Sequence, residues 1–468
     1  MIGIRSPGTM IFTRNSDVSK KIAIAVEHQY AGRLSQAEAI CRTVLAVDPQ
    51  NFDALHLLGV IRHQVGQHAE AVDLIHLALL REPLDPKAQH NLGDAYFALD
   101  DMAQARSCYE RAIALNSNQF ETHNSLGVIF AREQRPRDAA DCFMRANALK
   151  PDWSVPHFNL GLSHKELREM TPALKEFHRA WLLDPNMSSA MHECVATAAH
   201  LARSGSVHFG GTVTRGEVKP RSFSIIYCSV DDAKCRAVTN LYHRLFAGLR
   251  YELVAIRDAR SLAEAYNRGI ESSSGDIVLL SHDDIDVLTP DFALRLQSHL
   301  SRFDVVGVMG ATDLSGPAWS WSRHPYLRGW ITHHEPGEDD WDAAVVDPRP
   351  IAGDCVVLDG VLMAANRAVF DEIQFDDETF DGFHLYDTDW SFRAYQAGCN
   401  IATAGELLVV HASRGRYDAT WARYASDFCD KHGLAGMPPP PPAQLIEARF
   451  RNAQEVRAFF GILADLDG

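Results

Sequence analysis

The chain has 468 residues, of which 46% are hydrophobic and 23% charged, an ordinary globular make-up with room for two or three domains. A formal net charge of −16, without clustered Lys and Arg, argues against non-specific nucleic-acid binding, because affinity for phosphate comes from basic patches. Nine scattered cysteines with no Cys-x-x-Cys pair exclude a disulfide framework or a cysteine zinc site, and residues 1–17 lack the charged-then-apolar order of a signal peptide. No apolar run approaches the length of a membrane span, so the expectation is a soluble, cytoplasmic protein with reduced thiols and no transmembrane segment.

From residue 18 to about 205 the chain repeats itself. Gly59, Gly93, Gly127 and Gly161 follow one another at a constant spacing, each preceded by leucine (Leu58, Leu92, Leu126, Leu160). The same period carries Ala71, Ala105, Ala139 and Ala173, then Ile75, Tyr109, Phe143 and Phe177, then Ala78, Ala112, Ala146 and Ala180. Pro83, Pro151 and Pro185 close three of the units. A partial unit with Ala37, Cys41, Val44 and Pro49 precedes them, and Met187–Ala202 is expected to cap the array. This pattern resembles the tetratricopeptide repeat, in which two antiparallel helices meet at small residues. The resemblance implies a solenoid of about five repeats whose concave face takes peptides or partner proteins. His56, His63, His90, Asp94, Asn124, Arg132, Phe158 and Lys165 would lie on that face, with Asn91 and Asn159 in the slot before the repeat leucine, where an amide either bonds a peptide backbone or simply belongs to the repeat.

Residues 206–221, rich in glycine, read as a linker. Beyond it, Phe223–Tyr227 and Tyr251–Ile256 have the β-branched and aromatic content of strands, with the helix-like stretch Ser261–Ser272 after the second. Ile277, Val278, Leu279 and Leu280 predict a strand buried on both faces, since a half-buried strand would alternate with polar residues. The run stops abruptly at His282, Asp283 and Asp284, and in open α/β sheets ligands bind at the carboxyl ends of the strands. Carboxylate oxygens suit hard divalent ions, so Asp284 with His282 can hold Mn2+ or Mg2+ against a nucleotide-sugar diphosphate; the bland alternative is an acidic turn before the next helix. Strands alternating with helices, each strand ending in polar residues, predict an α/β domain with a mostly parallel, Rossmann-like sheet over residues 222–434.

The ordered motifs CSVDD, AEAYNRGIESSSGDIVLLSHDD, LDGVLMAANRAVF, FDGFHLYDTDWSFRAYQAG and VVH resemble a GT-A glycosyltransferase of the family-2 type, in the branch that includes streptomycin-biosynthesis-like glycosyltransferases. That resemblance implies a set of roles, residue by residue. The Asp-any-Asp metal motif corresponds to His282-Asp283-Asp284, with His in place of the first Asp, and His411 corresponds to a later metal-ligand histidine. Ser229, Asp231, Asp258, Asn267 and Asp283 fall at donor-binding positions. Asp387 takes the place of the catalytic base, preceded by Tyr386 where Glu is common. Asp359 and Gly360 lie on the acceptor side, as does Asp389, with Arg393 its partner one helical turn on; one of Asp387 and Asp389 is expected to cap their helix.

The segment from Ala311 to Pro350 carries Trp319, Trp321, Trp330 and Trp341 with His333, His334 and Glu335, either as an acceptor surface on which rings stack with sugars or as core. Residues 435–468 read as a polyproline spacer, Pro438–Pro442, followed by an amphipathic helical run from Ala443 to Leu466. The resemblances together imply a metal-assisted, inverting transferase that moves a sugar from a nucleotide-sugar, expected to be a UDP-sugar, to a protein or peptide presented by the repeats. Two alternatives stand beside it: a catalytically inactive adaptor in a surface-glycan or flagellar assembly, and a transferase acting on polysaccharide or lipid-linked acceptors.

Overall fold

The structure, a computed structural model, describes residues 8–205, 221–322, 325–335, 337–347, 349–413, 418–434 and 445–466. The chain forms two compact units, Met1–Leu183 and Asp184–Gly468. Among the described residues, no helix is long and apolar enough to cross a membrane. All nine cysteines are free thiols.

The first unit is a row of helical hairpins. Gly8–Tyr30 (α1) pairs with Leu34–Leu45 (α2), Phe52–Gln64 (α3) with His68–Leu79 (α4), and Pro86–Ala98 (α5) with Met102–Leu115 (α6). Phe120–Arg132 (α7) pairs with Pro136–Leu149 (α8), and Ser154–Glu166 (α9) with Met170–Leu183 (α10). Helix α1 therefore begins well before residue 18, where the repeats were expected to start. Each repeat glycine faces the large residue of the next helix. A Cβ added to Gly93 would stand 2.5 Å from Tyr109, one on Gly127 2.6 Å from Phe143, and one on Gly161 2.6 Å from Phe177. The two helices of a hairpin approach this closely because no side chain separates them.

The same period appears in the backbone. Gly32 and Gly66 turn the first two hairpins with φ of 71° and 82°, and Asp100, Gln134 and Arg168 occupy the equivalent left-handed position with φ of 62°, 59° and 63°. The inner-face amides are engaged between neighbouring repeats: Asn91 Nδ2 lies 2.8 Å from His56 Nε2, and Asn159 donates to Asn124 at 3.0 Å.

The second unit opens with Ser188–Arg203 (α11). This is the helix expected to cap the repeats, and within the second unit it packs against that unit's last strand and helix. The expected linker lies, except for Arg221, outside the described residues. Phe223–Cys228 (β1), Asp232–Leu245 (α12), Tyr251–Ile256 (β2), Leu262–Glu271 (α13) and Ile277–Ser281 (β3) then form a run of parallel strands and covering helices, with β1 between β2 and β3. Next come Ile285–Val287 (β4), Phe292–His299 (α14), Val305–Gly307 (β5), Met309–Ala311 (β6), Leu327–His333 (β7) and Trp341–Val345 (β8). Ile351–Ala352 (β9), Val357–Leu358 (β10), Leu362–Asn366 (β11), Arg367–Glu372 (α15) and Tyr386–Gln396 (α16) follow. Ile401–Ala404 (β12), Val409–His411 (β13), Ala419–His432 (α17), Ile446–Phe450 (β14) and Ala453–Ala464 (α18) complete the unit.

The main sheet runs β2-β1-β3-β11-β5-β12-β9, and a second runs β10-β6-β7-β13-β4, with β8 and β14 continuing from β7. The α/β class is as expected, with the main sheet mixed where a mostly parallel one was expected: β11 enters antiparallel to both β3 and β5. Strand β3 is buried throughout, as its continuous apolar run predicts. Its side chains alternate between two cores. Ile277 and Leu279 join Val238, Tyr242 and Phe292 on one face, and Val278 and Leu280 join Tyr266, Trp390 and Phe428 on the other.

The C-terminal segment differs from the single helix expected. Ile446, Ala448 and Phe450 are buried while Glu447 and Arg449 are exposed, a period of two that makes a strand, and β14 pairs antiparallel with β8. Helix α18 packs on α11, β14 and β8, and Phe460 stacks on Trp330 at 4.9 Å. The proline run Pro438–Pro442 lies outside the described residues.

Replacing Gly127 by Ala opposes two effects. Helix propensity favours Ala by about 1 kcal/mol, but Phe143 is fully buried and has nowhere to retreat. Overpacking costs about 1–3 kcal/mol, so Gly127→Ala lowers the stability of the array, read as an earlier urea transition of its helical circular dichroism signal.

Candidate functional site

The site is built on the carboxyl edge of β1 and β3. These strands pair in parallel with Tyr227 opposite Ser281, so the residues just beyond each emerge side by side. Ser229 donates from Oγ to Asp283 Oδ2 at 2.7 Å. Asp231 caps α12, its Oδ1 accepting from the backbone N–H of Ala233 and Lys234 at 2.7 and 2.9 Å. The Lys234 ammonium reaches back over this edge, 3.8 Å from Asp283 and 3.5 Å from Asp284, with half of its side chain exposed.

The second sheet brings in His411. Strand β13 lies antiparallel to β4 with His411 opposite Ile285, and Ala412 donates its N–H to the Asp284 carbonyl at 2.9 Å. That register sets the His411 ring beside the Asp284 side chain, with Nε2 3.2 Å from Oδ1. His282 Nδ1 lies 3.3 Å from the same His411 nitrogen, and Ser413 Oγ lies 3.1 Å from it. One ligand atom each from His282, Asp284 and His411 falls within 4.8 Å of the others. Burial, reinforced by the neighbouring His411, pushes the His282 imidazole down to about 4, so this ring is neutral with a lone pair to give. Burial works against the Asp284 charge, yet its hydrogen bonds from His411 and Ser413 and the nearby imidazoles hold it well below the usual carboxylate range. A neutral imidazole, a second imidazole and an ionised carboxylate converging in this way fit a divalent cation. With two nitrogens among the three donors, the set suits a first-row transition ion better than Mg2+, which takes oxygen ligands.

A hydrogen-bonded path leads from this cluster to Asp387. His282 Nε2 lies 3.0 Å from the Tyr386 hydroxyl, which donates to the Gly360 carbonyl at 3.3 Å. The N–H of Gly360 donates to Asp387 Oδ2 at 2.6 Å. A Cβ at residue 360 would stand 2.4 Å from the Tyr386 hydroxyl and 2.8 Å from the Asp387 Cβ, so only glycine admits this approach. Asp359 turns the chain at this point, accepting from Val361 N–H at 3.0 Å and from the Trp319 indole at 2.8 Å. Burial, together with the nearby Asp359 charge, pushes the Asp387 carboxyl up to about 7, although backbone N–H groups of Gly360 and of the first turn of α16 favour its charge. Burial likewise pushes the Tyr386 hydroxyl well above its ordinary value, so it remains a neutral phenol.

Three sequence expectations do not survive the geometry. Asn267 was placed at the donor, but its amide is occupied on both sides by the Phe375 backbone, donating to the carbonyl at 3.0 Å and accepting from the N–H at 2.9 Å. Asp389 was placed on the acceptor side, but it is fully buried against Arg393 at 2.8 Å, Lys431 at 2.7 Å and His432 at 2.8 Å. Neither Asp387 nor Asp389 caps α16: its N-cap is Leu385, in the left-handed conformation with φ of 63°. Asp258 remains at the outer rim of β2, three-quarters exposed and paired with Arg268 at 2.8 Å. Of the tryptophans, Trp321 stacks on Trp421 and Trp330 is core, Trp341 stacks on His334 at 3.9 Å, and Trp319 reaches Asp359.

Sequence reasoning passed over Lys234 and Ser413. For Lys234 the signal was a cation in the first turn of the helix after CSVDD; Ser413 follows VVH by two residues, which is unremarkable without the register of β13.

The profile of a glycosyltransferase-like family matches residues 224–431, and two tetratricopeptide-repeat profiles match residues 30–92 and 93–134. The chain joins a tetratricopeptide array to a glycosyltransferase-like domain. The domain supports a role in glycosyl transfer and the repeats a role in protein interaction. No curated protein matches this sequence. Similar solved structures include MamA (22% identity over 36% of this chain and 97% of that one, TM-score 0.32). They also include PilF of Pseudomonas aeruginosa (16%, 41% and 93%, TM-score 0.37). A third is YrrB, described as a TPR protein with an unusual peptide-binding site (22%, 40% and 97%, TM-score 0.33).

The buried Asp389 cluster gives a pH dependence of stability. Burial opposes the Asp389 charge, but His432, Arg393 and Lys431 outweigh it and hold the carboxyl below its ordinary value. A depressed folded pKa means the contribution is complete above about pH 4 and is lost as the pH falls through the folded value. Asp389→Asn therefore costs about 3–5 kcal/mol at neutral pH, and denaturant titrations across the acid range show its deficit against wild type shrinking below about pH 4.

Proposed function

We propose that the second unit transfers a sugar from a nucleotide-sugar, with a UDP-sugar as the expected donor, to an acceptor nucleophile with inversion, and that Asp387 takes the acceptor proton. The observation that supports this most directly is the continuous hydrogen-bonded path from the His282-Asp284-His411 cluster through Tyr386 and Gly360 to Asp387. It joins the donor end of a displacement to its base.

In this reading Ser229, Asp231 and Asp283 line the nucleoside side and Asp258 meets the base from the rim. A divalent cation held by His282, Asp284 and His411, when bound, supplies positive charge to the departing diphosphate. The exposed Lys234 ammonium adds a second positive group at the same edge. Asp359, fixed by the Trp319 indole, faces the acceptor side beside Asp387. As the acceptor attacks the sugar carbon and the bond to the diphosphate breaks, Asp387 accepts the acceptor's proton. A carboxyl raised toward neutrality is a better base for this step than an ordinary one, because the driving force for proton transfer grows with its pKa. The repeats, in turn, bind the protein or peptide that carries the acceptor.

With Mn2+ and a panel of nucleotide-sugars, Asp387→Asn lowers turnover at least about 100-fold while leaving donor affinity near wild type. The wild-type rate climbs through about pH 7 as Asp387 ionises. Unchanged turnover in the variant would reject the assignment. Removing residues 1–183, which leaves α11 in the catalytic unit, abolishes transfer to a protein acceptor and spares hydrolysis of the donor; transfer to lipid-linked or polysaccharide acceptors that survives this truncation would point to those acceptors instead.

A further inference from the structure

The Tyr386 side chain touches three groups of different kinds, two of them through its hydroxyl. It lies 3.0 Å from His282 Nε2 and 3.3 Å from the Gly360 carbonyl, and its ring packs beside Tyr266 at 5.7 Å between centroids. The hydroxyl donates to the Gly360 carbonyl, which can only accept. With its proton used there, the phenol oxygen meets His282 as an acceptor, and the ring carries its proton on Nε2. A neutral imidazole has one N–H, which leaves Nδ1 bare. Nδ1 is the nitrogen that faces His411 Nε2 at 3.3 Å, on the side of Asp284.

From this we infer that Tyr386 is a positioning residue of the metal centre: it fixes the tautomer and the tilt of His282, so that Nδ1 presents a lone pair to a divalent cation shared with Asp284 and His411. The inference deepens the proposed function, and rests on its metal site but not on its transfer step. Metal-bound imidazoles depend on such partners, because the hydrogen bond to the far nitrogen orients the ring and raises the basicity of the near one. Tyr386 is suited to the task because it is itself held on several sides. It is buried at the start of α16, Gly360 admits its hydroxyl without a Cβ in the way, and Tyr266, which packs against its ring, is tied to the Ser281 carbonyl at 3.2 Å. Gly360 also holds Asp387 by its N–H, so one residue, through its two backbone groups, meets both the base and the group that orients the ligand.

The test is Mn2+ affinity measured by titration calorimetry on the full chain, for wild type, Tyr386→Phe, His282→Ala and the double variant. Tyr386→Phe keeps the ring and removes only the acceptor oxygen, and it weakens Mn2+ about 10–100-fold. His282→Ala weakens Mn2+ by at least as much. In the double variant Tyr386→Phe adds nothing, because its only route to the metal has gone. The visible spectrum of the Co2+-loaded protein supplies a second readout: Tyr386→Phe and His282→Ala shift the bands in the same way. Unchanged affinity and spectrum in Tyr386→Phe, or losses that multiply in the double variant, would overturn the inference while leaving the metal site standing. Wild-type protein that takes up no Mn2+ would overturn both. Should Tyr386→Phe unfold, the affinity and spectrum of His282→Ala still decide whether Nδ1 is a ligand at all, and an unaltered spectrum there rejects the proposal.

Discussion

The second unit depends on strand β3 being covered on both faces. Because helices pack on each side of the main sheet, every side chain from Ile277 to Leu280 is withdrawn into one of two cores, and the strand carries no polar group along that length. The first charged or metal-competent side chains to appear, His282, Asp283 and Asp284, therefore do so together and at one edge. Burial along the strand concentrates the chemistry at its end. The parallel neighbour β1 ends in register and contributes Ser229 there, and β13 arrives from the second sheet to place His411 against Asp284.

Much of this was legible in the residues. The repeat period announced the array, since hairpins that bury their seam on glycine must supply a large side chain at a fixed distance, and Gly93–Tyr109, Gly127–Phe143 and Gly161–Phe177 are such pairs. The apolar run of β3 and its abrupt end marked the edge of the sheet. Asp284 and His411, far apart in the chain, were matched through ordered motifs, and their 3.2 Å approach follows from a strand register that no single sequence displays.

What was not legible has a common cause. Asn267 and Asp389 carry the right chemistry at plausible positions, but their partners are a backbone segment at Phe375 and the side chains of Lys431 and His432, all remote in sequence. A polar residue's role depends on which partner claims it first, and that is decided by tertiary packing. The mixed sheet was missed for a similar reason: the sequence of β11 suits either direction, and only its pairing with β3 and β5 makes it antiparallel. The two residues that depart from the expected glycosyltransferase pattern, His282 and Tyr386, turn out to touch each other.

The clasp formed by α11, β14 and α18 bears on how the protein is made. Residues 188–203 open the second unit, and their partners lie at 446–464, so the rest of that unit is threaded between the two halves of one packing interface. The repeat hairpins are built on contacts local in sequence, which form quickly. The second unit differs: α11 is made first, and β14 and α18, against which it packs, are made last, so this interface closes only when the chain is nearly complete.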